Sequence, residues 1–170
     1  MTDKAGSELS IEEFTRLCGS RAALAVAPLL EAAARHDGDA RVEWSVCASP
    51  YDPSRVTDVT VDLKSMSGDR ADYHLVQSAD GKFYHALYVG AGGIVNSYEP
   101  IESDEDAREL ALSIRELLAS PIVAEEWRMD GKLYKALYTF SDADWNASFG
   151  GRRPRLFGRS ETSERHYEAW

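Results

Sequence analysis

Nine residues, Asp-Gly-Lys-Phe-Tyr-His-Ala-Leu-Tyr at positions 80–88, are written a second time at positions 130–138 as Asp-Gly-Lys-Leu-Tyr-Lys-Ala-Leu-Tyr. Each copy opens on Asp-Gly, the dipeptide that best tolerates the two positive φ angles of a type I′ turn, and continues in alternating strand rhythm. Two antiparallel hairpins are therefore expected to frame a sheet. With two-residue turns, Ala79 faces Lys82, Gln77 faces Tyr84 and Leu75 faces Ala86 in the first hairpin. That pairing puts Tyr73, Leu75, Gln77, Tyr84, Ala86 and Tyr88 on one face and His74, Val76, Phe83, His85, Leu87 and Val89 on the other. In the second hairpin Val123, Trp127, Tyr134, Ala136 and Tyr138 share a face. Ile122, Ala124, Leu133 and Leu137 lie opposite, with Glu126 paired across the strands to Lys135.

A chain of 170 residues suits one domain with a real core, and 44% hydrophobic with 28% charged residues is ordinary globular composition. The formal charge of −10 repels phosphate, which argues against nucleic acid and anionic membrane as partners and suits a basic protein partner. No basic region followed by an apolar core opens the sequence. The longest apolar stretch, residues 22–34, contains Pro28 and Glu31 and is too short to span a bilayer. Two cysteines, Cys18 and Cys47, give neither a disulfide framework nor metal spacing. A reduced, cytoplasmic protein is the expectation, with a Cys18–Cys47 disulfide as the alternative.

Along the chain, Ser10 with Glu13 reads as a capping box for a helix from about residue 11, and a second helix covers about 21–35 with Pro28 inside it. Strands are expected at 41–48, 56–63, 71–79, 82–89 and 94–98. The clearest helix lies between a Ser103 cap and Ser120-Pro121. Asp104, Glu105 and Asp106 complement its dipole, and Ala107, Leu110, Ala111, Ile114, Leu117 and Leu118 form its apolar stripe. Strands 122–129 and 132–140 follow. Residues 150–170 hold five arginines against three glutamates, so this tail is net +2 and residues 1–149 carry −12. The expected fold is α+β: one antiparallel sheet of about six to seven strands, N-terminal helices, one central helix, in the order α-α-β-β-β-β-β-α-β-β, plus a basic tail. Two units are expected, an acidic domain 1–149 and an Arg-rich tail 150–170 that docks or reaches a partner. The element order and acidity resemble those of the small chaperones of type III secretion, which implies a client-holding role.

Candidate chemistry is sparse. Asp72, His74 and His85 share one face of the first hairpin under the expected register, and two imidazoles with a carboxylate can hold a divalent metal. The second repeat has Lys135 in place of His85, which favours the plain reading of solvated charges. Cys47, near Trp44 on a strand, and Cys18, on a helix face, are expected to be buried, inert thiols. Gly90-Ala91-Gly92-Gly93 leads into a strand, so no helix N-terminus awaits a phosphate. Glu99, Glu102, Asp104, Glu105 and Asp106 miss the EF-hand spacing and read as helix capping or an acidic docking patch. Arg152, Arg153, Arg155 and Arg159 favour intramolecular or protein contacts over nucleic acid. Asn146-Ala147-Ser148 is a formal glycosylation sequon. No Gly-x-Ser-x-Gly elbow, Walker loop, His-Glu-x-x-His or Cys-x-x-Cys pair occurs.

The leading functional expectation is a non-enzymatic, acidic protein-binding module of the inhibitor, immunity or secretion-chaperone kind, without cofactor. Tyr84, Tyr88, Trp127, Tyr134 and Tyr138 are its candidate contacts, since each ring buries much area with few torsions to freeze. Glu102, Asp104, Glu105 and Asp106 would steer the partner. The rival is a small-ligand- or metal-binding protein or enzyme built on Asp72, His74, His85 and Tyr84. A homodimer with an aromatic face between copies is the third expectation.

Overall fold

The computed structural model describes residues 11–48, 56–78, 85–89, 93–97, 101–141, 146–150 and 160–170. Three helices, α1 (Ile11–Cys18), α2 (Ser20–Arg35) and α3 (Asp104–Ala119), accompany nine strands. The strands are β1 (Ala40–Ala48), β2 (Val56–Ser65), β3 (Tyr73–Ser78), β4 (His85–Val89), β5 (Gly93–Ser97), β6 (Ile122–Met129), β7 (Lys132–Phe140), β8 (Asn146–Gly150) and β9 (Ser160–Tyr167). They form two antiparallel sheets, ordered β1-β2-β3-β4-β5 and β8-β7-β6-β9. The architecture is α+β. Two sheets replace the single sheet of six to seven strands expected from the sequence, and the difference has a local cause. Residues 146–150 and 160–167 lack apolar alternation, yet the first adds to β7 and the second to β6. A strand recruited by a ready-made edge needs only backbone groups, so its side chains carry no signal. Part of the Arg-rich segment is thus a strand of the second sheet.

α2 runs through Pro28 as one helix, and Gly19 precedes it. Two ion pairs fix its direction against α3. Arg21 donates to Asp104 at 3.1 Å near both N-termini, and Arg115 grips Glu31 with two bonds of 3.1 and 2.8 Å near both C-termini. The two helices therefore run parallel. Ala22, Ala25 and Ala32 on α2 and Ala107 and Ala111 on α3 are all buried. α3 is held at its start by a full capping box: Ser103 Oγ accepts from the Asp106 N–H, and Asp106 Oδ2 accepts from the Ser103 N–H at 2.7 Å.

The helices cover the inner face of the first sheet. Val59, Val61 and Leu63 of β2 and Tyr73 and Leu75 of β3 join Phe14, Leu29, Ile114, Leu117 and Leu118 in one buried cluster. Ile122, Ala124, Ala136, Tyr138 and Phe140 of the second sheet complete it. Tyr73, wholly buried, donates its hydroxyl to the Leu117 carbonyl at 3.1 Å, so the one polar atom of that ring is satisfied at the C-terminal turn of α3.

The two written repeats fold to the same register. Asp130 (φ 49°) and Gly131 (φ 77°) make the expected turn with positive φ at both positions. Met129 then faces Lys132 and Arg128 faces Leu133. One residue on, the pairing slips: Trp127 faces Lys135, leaving Tyr134 as the extra residue of a β-bulge. From there Glu126 faces Ala136, Ala124 faces Tyr138 and Ile122 faces Phe140. The first hairpin pairs Gln77 with His85, Leu75 with Leu87 and Tyr73 with Val89. Each of these pairs is the counterpart, fifty positions earlier, of a pair beyond the bulge. Its Asp80-Gly81 turn lies outside the described residues. Beyond the bulge in the second hairpin, and through the described part of the first, the pairing expected from a two-residue turn alone is therefore off by one, which reverses the faces of one strand against the other.

The buried face, by contrast, is not repeated. In β3 the core side is Tyr73 and Leu75, whereas in β6 it is Ile122, Ala124 and Glu126, positions that correspond to the opposite face of β3.

Candidate functional site

The register decides the fate of each expected site residue. Tyr138, expected on an exposed aromatic face, lies across from Ala124 and is fully buried in the core. The bulge at Tyr134 moved it there, so Tyr138 is no contact for a partner. Trp127 stays on the outer face of the second sheet, half-buried, with the Lys135 ammonium 4.2 Å from its ring centroid. Tyr134 is half-buried beside the bulge, its hydroxyl 3.5 Å from Ser160 Oγ. Tyr88 sits on β4 opposite His74, and Tyr84 lies outside the described residues. The expected Glu126–Lys135 pair does not form. Glu126 points inward, buried, and both Arg128 Nε and NH2 donate to its Oε2, at 3.2 and 2.7 Å.

The acidic run is mostly structural. Asp106 is consumed by the capping box, which holds its carboxyl below the usual range through the Ser103 side chain and backbone N–H. Asp104 pairs with Arg21. Glu102 and Glu105 are exposed at the start of α3.

The metal triad does not assemble. His74 faces Tyr88 and His85 faces Gln77, so positions 74 and 85 fall on opposite faces of the sheet. His74 instead has Asp62 directly across from it on β2, with Nδ1 2.7 Å from Asp62 Oδ1, and this hydrogen bond raises the imidazole above its usual pKa. Asp72 accepts from the Ser65 N–H at 3.0 Å. Among the described residues no group of three or more His, Cys, Asp or Glu is placed to hold a metal ion. Both cysteines are free thiols. Cys18 is buried, which pushes its thiol up to about 11. Cys47, expected to be buried, is exposed, because its place opposite Asp58 puts it on the outward face of β1.

Two features mark the Trp127 face, where Val123 accompanies Trp127 as expected and the slip adds Leu137, expected on the opposite face. The first is the cross-strand neighbourhood itself: half-buried Val123, Trp127 and Leu137 on a rigid antiparallel sheet, with Glu125, Lys135, Thr139 and His166 exposed between them. Val123 faces His166 and Glu125 faces both Leu137 and Glu164. The second is an open cleft of about 460 Å³ at the end of this sheet, to which Val123 and His166 also belong. Its polar wall includes Asp69, Ser141 and Glu168. An apolar-aromatic face that runs into a cleft bearing two carboxylates can accept a protein surface with a protruding cationic side chain. Polar β9 gave no sequence signal for either feature.

Below the cleft a single arginine ties the molecule together. Arg70 donates to Asp39 Oδ2 at 2.7 Å, to Glu168 Oε2 at 3.1 Å and to the Ala169 carbonyl at 2.9 Å. Its guanidinium lies 5.8 Å from the Trp170 ring centroid, and His36 meets the same ring edge-on at 5.9 Å. The Trp170 indole N–H donates to the Ala71 carbonyl at 2.8 Å.

Comparison with protein-family models, with curated proteins and with solved structures found no match. Among the described residues no helix is long and apolar enough to cross a membrane.

Proposed function

We propose that this protein is a non-enzymatic, acidic protein-binding module, of the inhibitor, immunity or secretion-chaperone kind, acting in the cytoplasm. The observation that carries the reading is the outer face of the second sheet, where Trp127, Val123 and Leu137 lead into the cleft walled by Asp69 and Glu168. Trp127 is the anchor: an amphipathic ring, half-exposed, already stacked by a cation and set on a strand with neighbours on both sides. The partner is a protein with a basic surface. A Lys or Arg from it enters the cleft, while Glu102 and Glu105 and the overall charge of −10 draw it in.

Affinity purification from the native source tests this. The expected result is one basic protein, retained at low salt and released as salt rises, whose recovery falls about thirtyfold (~2 kcal/mol) with Trp127→Ala. Recovery of no specific protein, or equal recovery by the variant, contradicts the reading.

A further inference from the structure

β6 runs between β7 and β9, so side chains on the outer face of the second sheet stand in cross-strand rows. Lys135, Trp127 and Thr162 form one row, and Leu137, Glu125 and Glu164 form the next. The first row is built around a cation on a ring. The Lys135 ammonium lies 4.2 Å from the Trp127 ring centroid, and Lys135 makes no ion pair among the described residues. Without the bulge at Tyr134, Lys135 would face Glu126 instead. The second row opposes two carboxylates, Glu125 and Glu164, directly across the β6–β9 pair, an arrangement that costs stability. Both are exposed. Glu164 bonds His166 Nε2 at 2.7 Å, and Glu125 has no hydrogen-bonding or ionic partner for its carboxylate among the described residues. A ring that already holds a cation, and an opposed carboxylate pair one row away, are two separate reasons for positive charge to settle here.

We propose that Lys135 occupies the place of a cationic side chain of the partner, and that this face takes an extended segment bearing arginine at alternate positions. The inference rests on the protein-binding reading above and names the chemistry of that partner. Alternate side chains of an extended segment lie on one side, about 7 Å apart at roughly 3.3 Å per residue, which is also the spacing of Trp127 and Glu125 along β6. One arginine displaces Lys135 and stacks on Trp127. The next reaches the Glu125–Glu164 pair and relieves its repulsion, while apolar parts of the segment meet Val123 and Leu137. Arginine suits both places better than lysine, because its guanidinium is planar, stacks on an indole and forks onto a carboxylate. Displacing Lys135 costs little, since its exposed ammonium returns to water.

A synthetic peptide, acetyl-Arg-Thr-Arg-Thr-Arg amide, tests this on the full chain at physiological salt. The readout is the NMR cross-peak of the Trp127 indole N–H, assigned by its loss in Trp127→Phe. That cross-peak is expected to move on titration, while the Lys135 ε-methylene protons lose the upfield shift the ring gives them. Lys135→Met should tighten binding about threefold, the worth of one exposed cation–π contact. Lys132→Met removes the same charge about 10 Å along the strand, beyond the screening length, and should leave the affinity unchanged. Glu125→Gln should weaken binding up to about fivefold. The all-lysine counterpart of the peptide should bind more weakly. A Trp127 cross-peak that stays in place overturns the proposal, as do equal effects of the two lysine substitutions or shifts confined to the cleft residues Ser141 and His166. Because the peptide replaces the native partner, the two readings fail separately. A positive titration with no partner recovered by affinity purification counts against the protein-binding role alone. A recovered partner whose binding ignores Lys135 overturns only this site. Glu125, Lys132 and Lys135 are all solvent-exposed, and far-UV circular dichroism will show that each variant is folded.

Discussion

Gly150 faces Lys135 across the β7–β8 pair, at φ +80°, and a Cβ there would overlap the Tyr134 carbonyl. The bulge that leaves Tyr134 unpaired is thus fitted to a glycine on the neighbouring strand. Gly150→Ala is expected to cost about 2–3 kcal/mol through strained φ and displaced backbone, read as a lower urea midpoint at unchanged m-value. His74 makes a second test. Its imidazole is raised by Asp62, so the pair stabilises the fold fully below the ordinary imidazole value of 6.5 and loses that contribution as pH rises through the raised value. An NMR titration should place His74 above 6.5, and Asp62→Asn should bring it down. The thiols should also separate. Native protein at pH 8 is expected to react with a maleimide at Cys47 and not at Cys18, whose burial raises its pKa. At this scale the sequence was legible where one residue has one reason to be where it is. Asp130-Gly131 needed positive φ and has it, and Ser103 needed to cap and does. Cys47 was misread because two apolar-looking neighbours do not say which way a strand faces.

Element by element, the strands and α3 were readable from alternation and capping, while the pairing between strands was not. A turn fixes register only until the first bulge, and nothing in Leu133-Tyr134-Lys135 announces one. A signal was nonetheless present. With the slip, Phe140 meets Ile122 and Leu87 meets Leu75, whereas the unslipped pairing gives those core residues Thr139 and Ala86. Weighing apolar pairs against turn geometry would have favoured the observed arrangement. β8 and β9 were missed for a different reason: an added strand is specified by the edge it joins. What holds β9's end is Arg70. Arg70→Ala removes its bonds to Asp39, Glu168 and the Ala169 carbonyl and uncovers one side of Trp170. The expected loss is about 2 kcal/mol, a fall in Tm of about 4–8 °C by calorimetry. Asp39, held below the usual carboxylate range mainly by the Ser67 N–H with Arg70 adding to it, keeps this link intact above about pH 4 and releases it on acidification.

For the whole molecule, one core joins both sheets and the helices, and the described outward surfaces divide by character. The first sheet presents a charged ladder in which Lys64 Nζ meets Glu43 Oε2 at 2.5 Å and His74 meets Asp62. The second presents Trp127, Val123 and Leu137 beside a cleft with carboxylates. The repeated hairpin supplies both surfaces because the fold turns opposite faces of the two copies inward. Recognition by the second sheet is the central claim, and hydrogen exchange of the protein with and without its purified partner tests it most directly. Slowed exchange is expected in β6 and β7 around Trp127 and Leu137 and at the cleft residues 166–168, with β1 and β2 unchanged. Protection confined to the first sheet, or none in β6 and β7, would contradict it.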